Sequence, residues 1–374
     1  MNIHPFRASV PSLDRIFNPA LFFSKAKHLY PVYYKNGYFT KLNKKGLFVY
    51  RQRRQTESHV GIIAATHVQD YIQEHIIKHE ETLEAKEEKM VKLFEERNGQ
   101  IKPVLLTYPT VSEIDVFLKH IIETREPNQQ ITFRDAEHDI WYLQDEEDYN
   151  YVQSLFKDKV EKAYIADGHH RAATLTRYYR YALNRLKVLP ENSPYNYLFC
   201  AFFGTNELTI ADYNRVVQVG ELFDKAAFFE QLKKVATVTP TFKPCKPAAK
   251  HELTFVIEEE WYRLRWKQEI IEQEDSLLKQ LDVSLLNKLI FKDILHMENI
   301  RTSESIDYIG GDRGIDGILS RINSGKEKSI GFMLAPISTT DFMQIVDKEG
   351  VMPPKSTYFM PRIHNSFVNL MFDN

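Results

Sequence analysis

The sequence predicts a mixed α/β fold, an α+β chain in which strands and helices interleave from end to end. Three observations carry that prediction. Short apolar runs such as Ala163–Ala166 and Tyr197–Phe203 alternate with amphipathic stretches such as Val111–Thr124. The 374 residues are 43% hydrophobic and 27% charged, enough apolar material for more than one core. A stretch rich in proline and lysine, Thr239–Lys250, interrupts the pattern and argues against a continued helix or central strand there. It divides the chain into an expected core over residues 1–240 and a C-terminal α/β subdomain over residues 251–374.

The first 60 residues read as irregular and aromatic-rich, with strands expected at Tyr30–Tyr34 and Leu47–Arg51. Gly61–Thr66 is a short apolar strand. A long charged helix is predicted from His67 to Arg97, stopped by Asn98-Gly99. Ile101–Tyr108 follows as a strand and Val111–Thr124 as a helix. Ile131–Phe133 and Ile140–Leu143 form a hairpin, and Tyr149–Phe156 a helix. Ala163–Ala166 is a strand that feeds the helix Ala172–Leu186. Tyr197–Phe203 and Val216–Val219 are strands. Beyond the break, Leu253–Ile257 and Trp261–Trp266 alternate like a hairpin. Ser284–Leu295 and Ser338–Lys348 are helical, and Asp307–Gly311 and Ser329–Ala335 strand-like.

A net charge of −2 gives no global attraction to nucleic acid or to an anionic membrane, so neither is an expected partner. No apolar run is long enough to span a bilayer, and the first residues lack a signal-peptide pattern. Cys200 and Cys245 have no zinc spacing, and Cys200 sits in an apolar run. The cytoplasm is the expected compartment.

The richest chemistry is in Asp167-Gly168-His169-His170-Arg171, a turn between a strand and a helix. Such a turn aims backbone N–H groups and the positive end of a helix at one point and so suits an anion. Asp167 offers a carboxylate for a metal or a proton. His75 and His79, four apart on the predicted helix, share a face and have metal-binding spacing, although a solvated charged face is the better explanation of His75. Met352–Phe359 holds Lys355-Ser356 behind two prolines but lacks the glycines of a phosphate loop. Gly310–Gly314 reads as a simple turn.

Several segments together resemble the family known as domain of unknown function 1015. They are His4-Pro5-Phe6-Arg7, Tyr50-Arg51-Gln52, Asp70-Tyr71, Lys78-His79-Glu80-Glu81-Thr82, His138-Asp139-Ile140-Trp141 and Tyr164–Arg171. Asn214-Arg215-Val216-Val217, Leu281-Asp282-Val283 and Met352–Phe359 complete the order. The chain departs at Arg15–Ala20, where the family usually carries Pro-Pro-Tyr-Asp. The turn itself is similar to that of the ParB/sulfiredoxin-like superfamily, which includes free-serine kinases and CTP-dependent DNA-segregation proteins. That resemblance implies a ParB/sulfiredoxin-like core with a nucleotide phosphate at Gly168–Arg171.

Three functions follow as expectations. The leading one is a kinase that uses ATP or ADP with Mg²⁺ to phosphorylate a free amino acid, most concretely L-serine. Asp167, Gly168, His169, His170, Arg171, Lys355 and Ser356 would bind the nucleotide, and Asp167 the metal. Glu80 would be the base by analogy with the free-serine kinases, oriented by His79, while His170 neutralises charge on the transferred group. The alternatives are a nucleotide-gated ParB-like binding protein and a metal-dependent hydrolase using the histidines. The sulfiredoxin reaction is disfavoured because His170 stands where those enzymes carry cysteine. A homo-oligomer is left open.

Overall fold

The computed structural model describes residues 1–55, 57–325 and 327–372. Helices and several sheets mix throughout, as expected. Contacts divide the chain into two compact units, Met1–Thr209 with Pro361–Asn374, and Ile210–Met360. The proline- and lysine-rich stretch therefore lies inside the second unit, where its first three residues end the edge strand Ala236–Thr241 and the rest leads to strand Glu252–Ile257. Chain connectivity did not need a linker there because the two strands share a partner, Glu260–Trp266, in one sheet.

The first unit is built on a nine-stranded sheet. Its order is Ile76–Ile77, Ala163–Asp167, Val104–Tyr108, Tyr197–Gly204, Glu57–His67, Leu47–Arg54, Ala136–Leu143, Gln129–Phe133, with Ile3–His4 also paired to Glu57–His67. Tyr197–Gly204 lies near the middle and is buried along almost its whole length, which is why it reads as an unbroken apolar run. A second sheet pairs Ala8–Pro11 with Phe39–Lys41 and with Asn369–Met371, which also pairs with Gly99–Gln100.

Two sequence expectations fail in this unit. Tyr30–Tyr34 is not a strand but the end of helix Pro19–Lys35. Asn18 caps that helix by accepting from the Leu21 N–H, Pro19 takes the first turn, and Phe22, Phe23, Ala26 and Tyr30 form its buried stripe. Pro31 within the helix hid this 3.6-residue period. The single helix His67–Arg97 is also absent. Val68–Ile72 ends at Gln73, Glu74 adopts a left-handed φ of 61°, and the chain forms the short strand Ile76–Ile77 before helix Glu84–Arg97. Charged residues of high helix propensity on both sides masked a break imposed by sheet pairing. The predicted stop holds, with Asn98 in a left-handed conformation closing the helix.

The second unit has a six-stranded antiparallel sheet, ordered Ala236–Thr241, Glu260–Trp266, Glu252–Ile257, Ser329–Leu334, Tyr213–Gln218, Ile306–Gly310. Helix Gly314–Ser324 inserts Ile318 among Val216, Val256, Trp261, Ile309 and Met333. Gly331 permits this close approach, because a Cβ there would strike the Ile318 side chain.

Candidate functional site

Strand pairing explains why distant stretches of sequence meet at the Asp167–Arg171 turn. Ala163–Asp167 runs parallel to Ile76–Ile77, with Ala163 opposite Ile76 and Tyr164 opposite Ile77. Both strands therefore end on the same side, and Lys78-His79-Glu80 emerges beside Asp167-Gly168-His169. On its other edge Ala163–Asp167 runs antiparallel to Val104–Tyr108, so the start of that strand, preceded by Lys102, reaches the same end. The loss of the long helix is thus what brings Glu80 to the turn.

Gly168 has φ +116° and stands at the N-cap of helix His169–Leu186. The left-handed φ favours glycine, and a side chain here would collide with the Arg171 guanidinium. Arg171 folds back to donate from Nη2 to the Asp167 carbonyl at 3.0 Å and to Asp167 Oδ2 at 2.8 Å. The helix N-terminus and a cation thus face one point.

Asp167 is surrounded by positive charge. Lys102 Nζ lies 3.2 Å from Oδ2, Arg171 Nη2 2.8 Å from Oδ2, and Arg362 Nη2 3.7 Å from Oδ1. Burial alone would raise this carboxyl, but Arg171, Lys102 and Arg362 together hold it well below the usual carboxylate range. Burial and the neighbouring Arg171 push Lys102 down to about 8, against the opposing pull of Asp167. Three cations around one carboxylate leave a positive surplus suited to an anion. Lys102 and Arg362 were not foreseen from sequence; Lys102 lies directly before Pro103 and the strand beside the turn, and Arg362 is nearly 200 residues away.

The expected Mg²⁺ role of Asp167 does not fit this arrangement. Both of its oxygens face cations, which compete electrostatically with a divalent ion. Among the described residues no group of three or more His, Cys, Asp or Glu side chains is arranged to hold a metal. The expected helical His75/His79 pair is also corrected. His75 contacts Asp70 through Nδ1 at 3.1 Å, and the two histidines flank a strand rather than share a helix face.

The histidines and Glu80 form a second layer of the site. The His79 backbone N–H donates to His169 Nε2 at 3.3 Å. In neutral His169 the proton is then on Nδ1, which faces Glu80 Oε2 at 3.9 Å. His79 packs edge-on against His169, ring centroids 4.4 Å apart. Burial, with the adjacent His169, keeps the His79 imidazole well below its ordinary pKa and hence neutral. Glu80's imidazole neighbour is His169 rather than the expected His79. His170 follows on the first turn of the helix, and its carbonyl accepts from the Thr174 hydroxyl at 2.6 Å.

Lys355 and Ser356 belong to the second unit. Lys355 has φ +58° and its Nζ lies 5.7 Å from the Tyr213 ring centre, while the Ser356 hydroxyl donates to the Pro353 carbonyl at 2.6 Å. In the first unit a cavity of about 630 Å³ is lined by residues including His4, Arg7, Lys45, Gln153 and Tyr197, and by none from the turn. No described helix is long and apolar enough to cross a membrane.

The fold and turn define a mixed α/β protein with a turn of clustered cations at a helix N-terminus. The chain belongs to the family described as "Protein of unknown function (DUF1015)", whose model matches residues 12–284. No curated protein matches it. Among solved structures it is similar to SbnI with C-terminal truncation from Staphylococcus aureus, at 12% identity and TM-score 0.42, covering 81% of this chain and 85% of that one. A conserved hypothetical protein from Pyrococcus furiosus matches at 12% identity and TM-score 0.37, covering 83% and 96%. A free serine kinase in complex with AMP matches at 12% identity and TM-score 0.35, covering 82% and 92%. Likenesses this distant carry no functional argument.

Proposed function

We propose that this chain is a nucleotide-dependent small-molecule kinase that phosphorylates free L-serine to O-phosphoserine, built on a ParB/sulfiredoxin-like core. The observation that supports it best is the approach of Glu80 to His169, 3.9 Å apart, beside a turn whose one carboxylate meets three cations. The motif resemblance to the free-serine kinases supplies the substrate class.

In this reading the first N–H groups of helix His169–Leu186 and the Arg171, Lys102 and Arg362 cations hold the phosphates of ATP or ADP. Gly168 keeps the backbone open to them. Glu80 removes the serine hydroxyl proton as that oxygen attacks the terminal phosphorus, and the bond from phosphorus to the nucleotide oxygen breaks. His169 orients Glu80 through Nδ1–H, the His79 backbone fixes the His169 ring, and His170 offsets charge on the transferred group. Asp167 acts here by holding the cations in place.

The test is incubation of the protein with ATP or ADP, as magnesium salts, and a panel of free hydroxy amino acids, followed by detection of phosphorylated product. O-phosphoserine is expected, lost in Glu80→Gln and in His170→Ala. Absence of any phosphorylated product together with no nucleotide-induced change in melting temperature would sink the reading.

A further inference from the structure

Three motif segments that the kinase reading leaves unused meet in the second unit. Arg215 of Asn214-Arg215-Val216-Val217, Asp282 of Leu281-Asp282-Val283 and Ser356 of Met352–Phe359 line one cavity of about 110 Å³. About 10–15 Å³ of such space admits one water, so the cavity has room for a small molecule of several heavy atoms.

Its walls hold a buried guanidinium and a buried carboxyl, neither of them in an ion pair among the described residues. Arg215 is 1% exposed. Its guanidinium donates to the Tyr213 carbonyl and, at 2.8 Å, to the Lys355 carbonyl, and stands over the Tyr308 ring. Its buried Nε–H has no acceptor, and no carboxylate among the described residues pairs with it. Asp282 is 7% exposed. Its oxygens accept only from neutral donors, Trp266 Nε1 at 3.0 Å and the His251 backbone N–H at 3.1 Å. The nearby Lys250 pairs with Asp341 at 2.9 Å, and its through-space pull on the Asp282 carboxyl is opposed by Glu252. A buried guanidinium and a buried carboxyl, each satisfied only by neutral groups, are costly to keep apart in one small space.

A ligand carrying a carboxylate and an ammonium a few bonds apart would satisfy both. We propose that the second unit binds a small free α-amino acid, with its carboxylate on Arg215 and its ammonium on Asp282. The planar guanidinium suits a carboxylate. Leu334 and Ala335 on the wall accommodate a small side chain. Burial raises the Asp282 carboxyl to about 7, consistent with a group waiting for a cation. The assignment does not depend on the kinase reading.

The experiment titrates the full chain, without nucleotide, with glycine, L-alanine and L-serine, and separately with acetate, methylammonium and inorganic phosphate. Calorimetry reads affinity and hydrogen exchange reads location. The amino acids are expected to bind at least tenfold more tightly than acetate or methylammonium and to slow exchange in residues 334–341 and 353–357. Arg215→Lys, which keeps the charge but loses the fork, should weaken glycine binding about tenfold or more. If Arg215→Lys does not fold, Ala335→Leu at the partly exposed rim should block the cavity with the same loss. Equal binding of acetate or phosphate, protection confined to residues 163–171, or no binding of any amino acid would each overturn the proposal.

Discussion

Asp282 is buried and Asp167 half-buried, and their surroundings treat them in opposite ways. Asp167 is met by Lys102, Arg171 and Arg362 and is held well below the ordinary carboxylate range. Asp282 is met by an indole N–H and a backbone N–H, and burial drives it up to about 7. The difference lies in whether an aspartate's partners bring charge or only hydrogen bonds. An acid saturated with cations organises a positive surface for an anion. An acid satisfied by neutral donors, near a guanidinium that also lacks a counter-charge, keeps a demand for a cation.

The largest expected effect tests whether the positive surplus serves chemistry. Glu80→Gln should reduce O-phosphoserine formation about 10²–10⁴-fold, the usual contribution of a general base, with nucleotide affinity changed by less than about threefold. Arg171→Ala should do the reverse in part and weaken nucleotide binding directly. Steady-state kinetics with a nucleotide titration separates the two. Equal loss of binding in both variants would show that Glu80 supports the phosphate site rather than the transfer.

The next effect is a divergence in the pH dependence of stability. Between about pH 4 and pH 7 folded Asp282 keeps a proton that the unfolded chain has lost, so the Asp282 contribution to stability should fall as pH rises, by at most about 1.4 kcal/mol per pH unit. Asp282→Asn should remove that decline. Asp167, being depressed, contributes stability that is complete above its unfolded pKa near 4 and is lost only as pH falls further. Asp167→Asn should therefore cost a constant amount from pH 5 to 7, about 1–3 kcal/mol, because three cations lose their shared partner. Urea unfolding of the three proteins across pH 4.5–7.5 decides. Parallel curves for wild type and Asp282→Asn would show that Asp282 titrates normally.

Gly168→Ala is expected to cost about 1–3 kcal/mol, from the left-handed φ of +116° and the displaced Arg171 guanidinium. Thermal or urea unfolding measures it. Because Arg171 must move, nucleotide affinity should fall with stability; a stable variant with full affinity would separate the glycine from the anion site.

What the sequence made legible was local. The run Ala163–Ala166 and the Asp-Gly pair after it announce a strand, a turn and a helix start within a few residues, and that is how the chain folds. Most of the strands that fill the sheet interiors read the same way, because burial on both faces leaves an unbroken apolar run. The partners were harder to see. Arg362 reaches Asp167 from the far end of the chain, and no local pattern marks a residue brought in by chain return. Glu80 was placed only by resemblance, and on a helix that does not form. Two paired residues, Ile76 and Ile77, outweigh the helical propensity around them and turn a solvated-looking segment into part of the site. Arg215 and Asp282 likewise stood in short motifs without a visible purpose until tertiary structure put both on one cavity wall.

The smallest effect at neutral pH is the one most specific to the cation cluster. Lys102 is pushed down to about 8, so it is mainly charged at pH 7 and loses its charge within the accessible range. A bound phosphate favours the charged form, so nucleotide affinity should be flat from pH 7 to just below 8 and then fall, approaching tenfold per pH unit. The terminal phosphate, with its last pKa near 6, is already ionised there and adds no slope of its own. Lys102→Arg should abolish the fall up to pH 9.5, since a guanidinium stays charged. Lys102→Met should also be flat, but with the weaker affinity that wild type reaches at high pH. Binding measured at fixed ionic strength over pH 7–9.5 distinguishes these cases. Should wild type and Lys102→Met share one pH profile, the surplus charge beside Asp167 would have to come from Arg171 and Arg362 alone, and the contrast with Asp282 would rest on two cations rather than three.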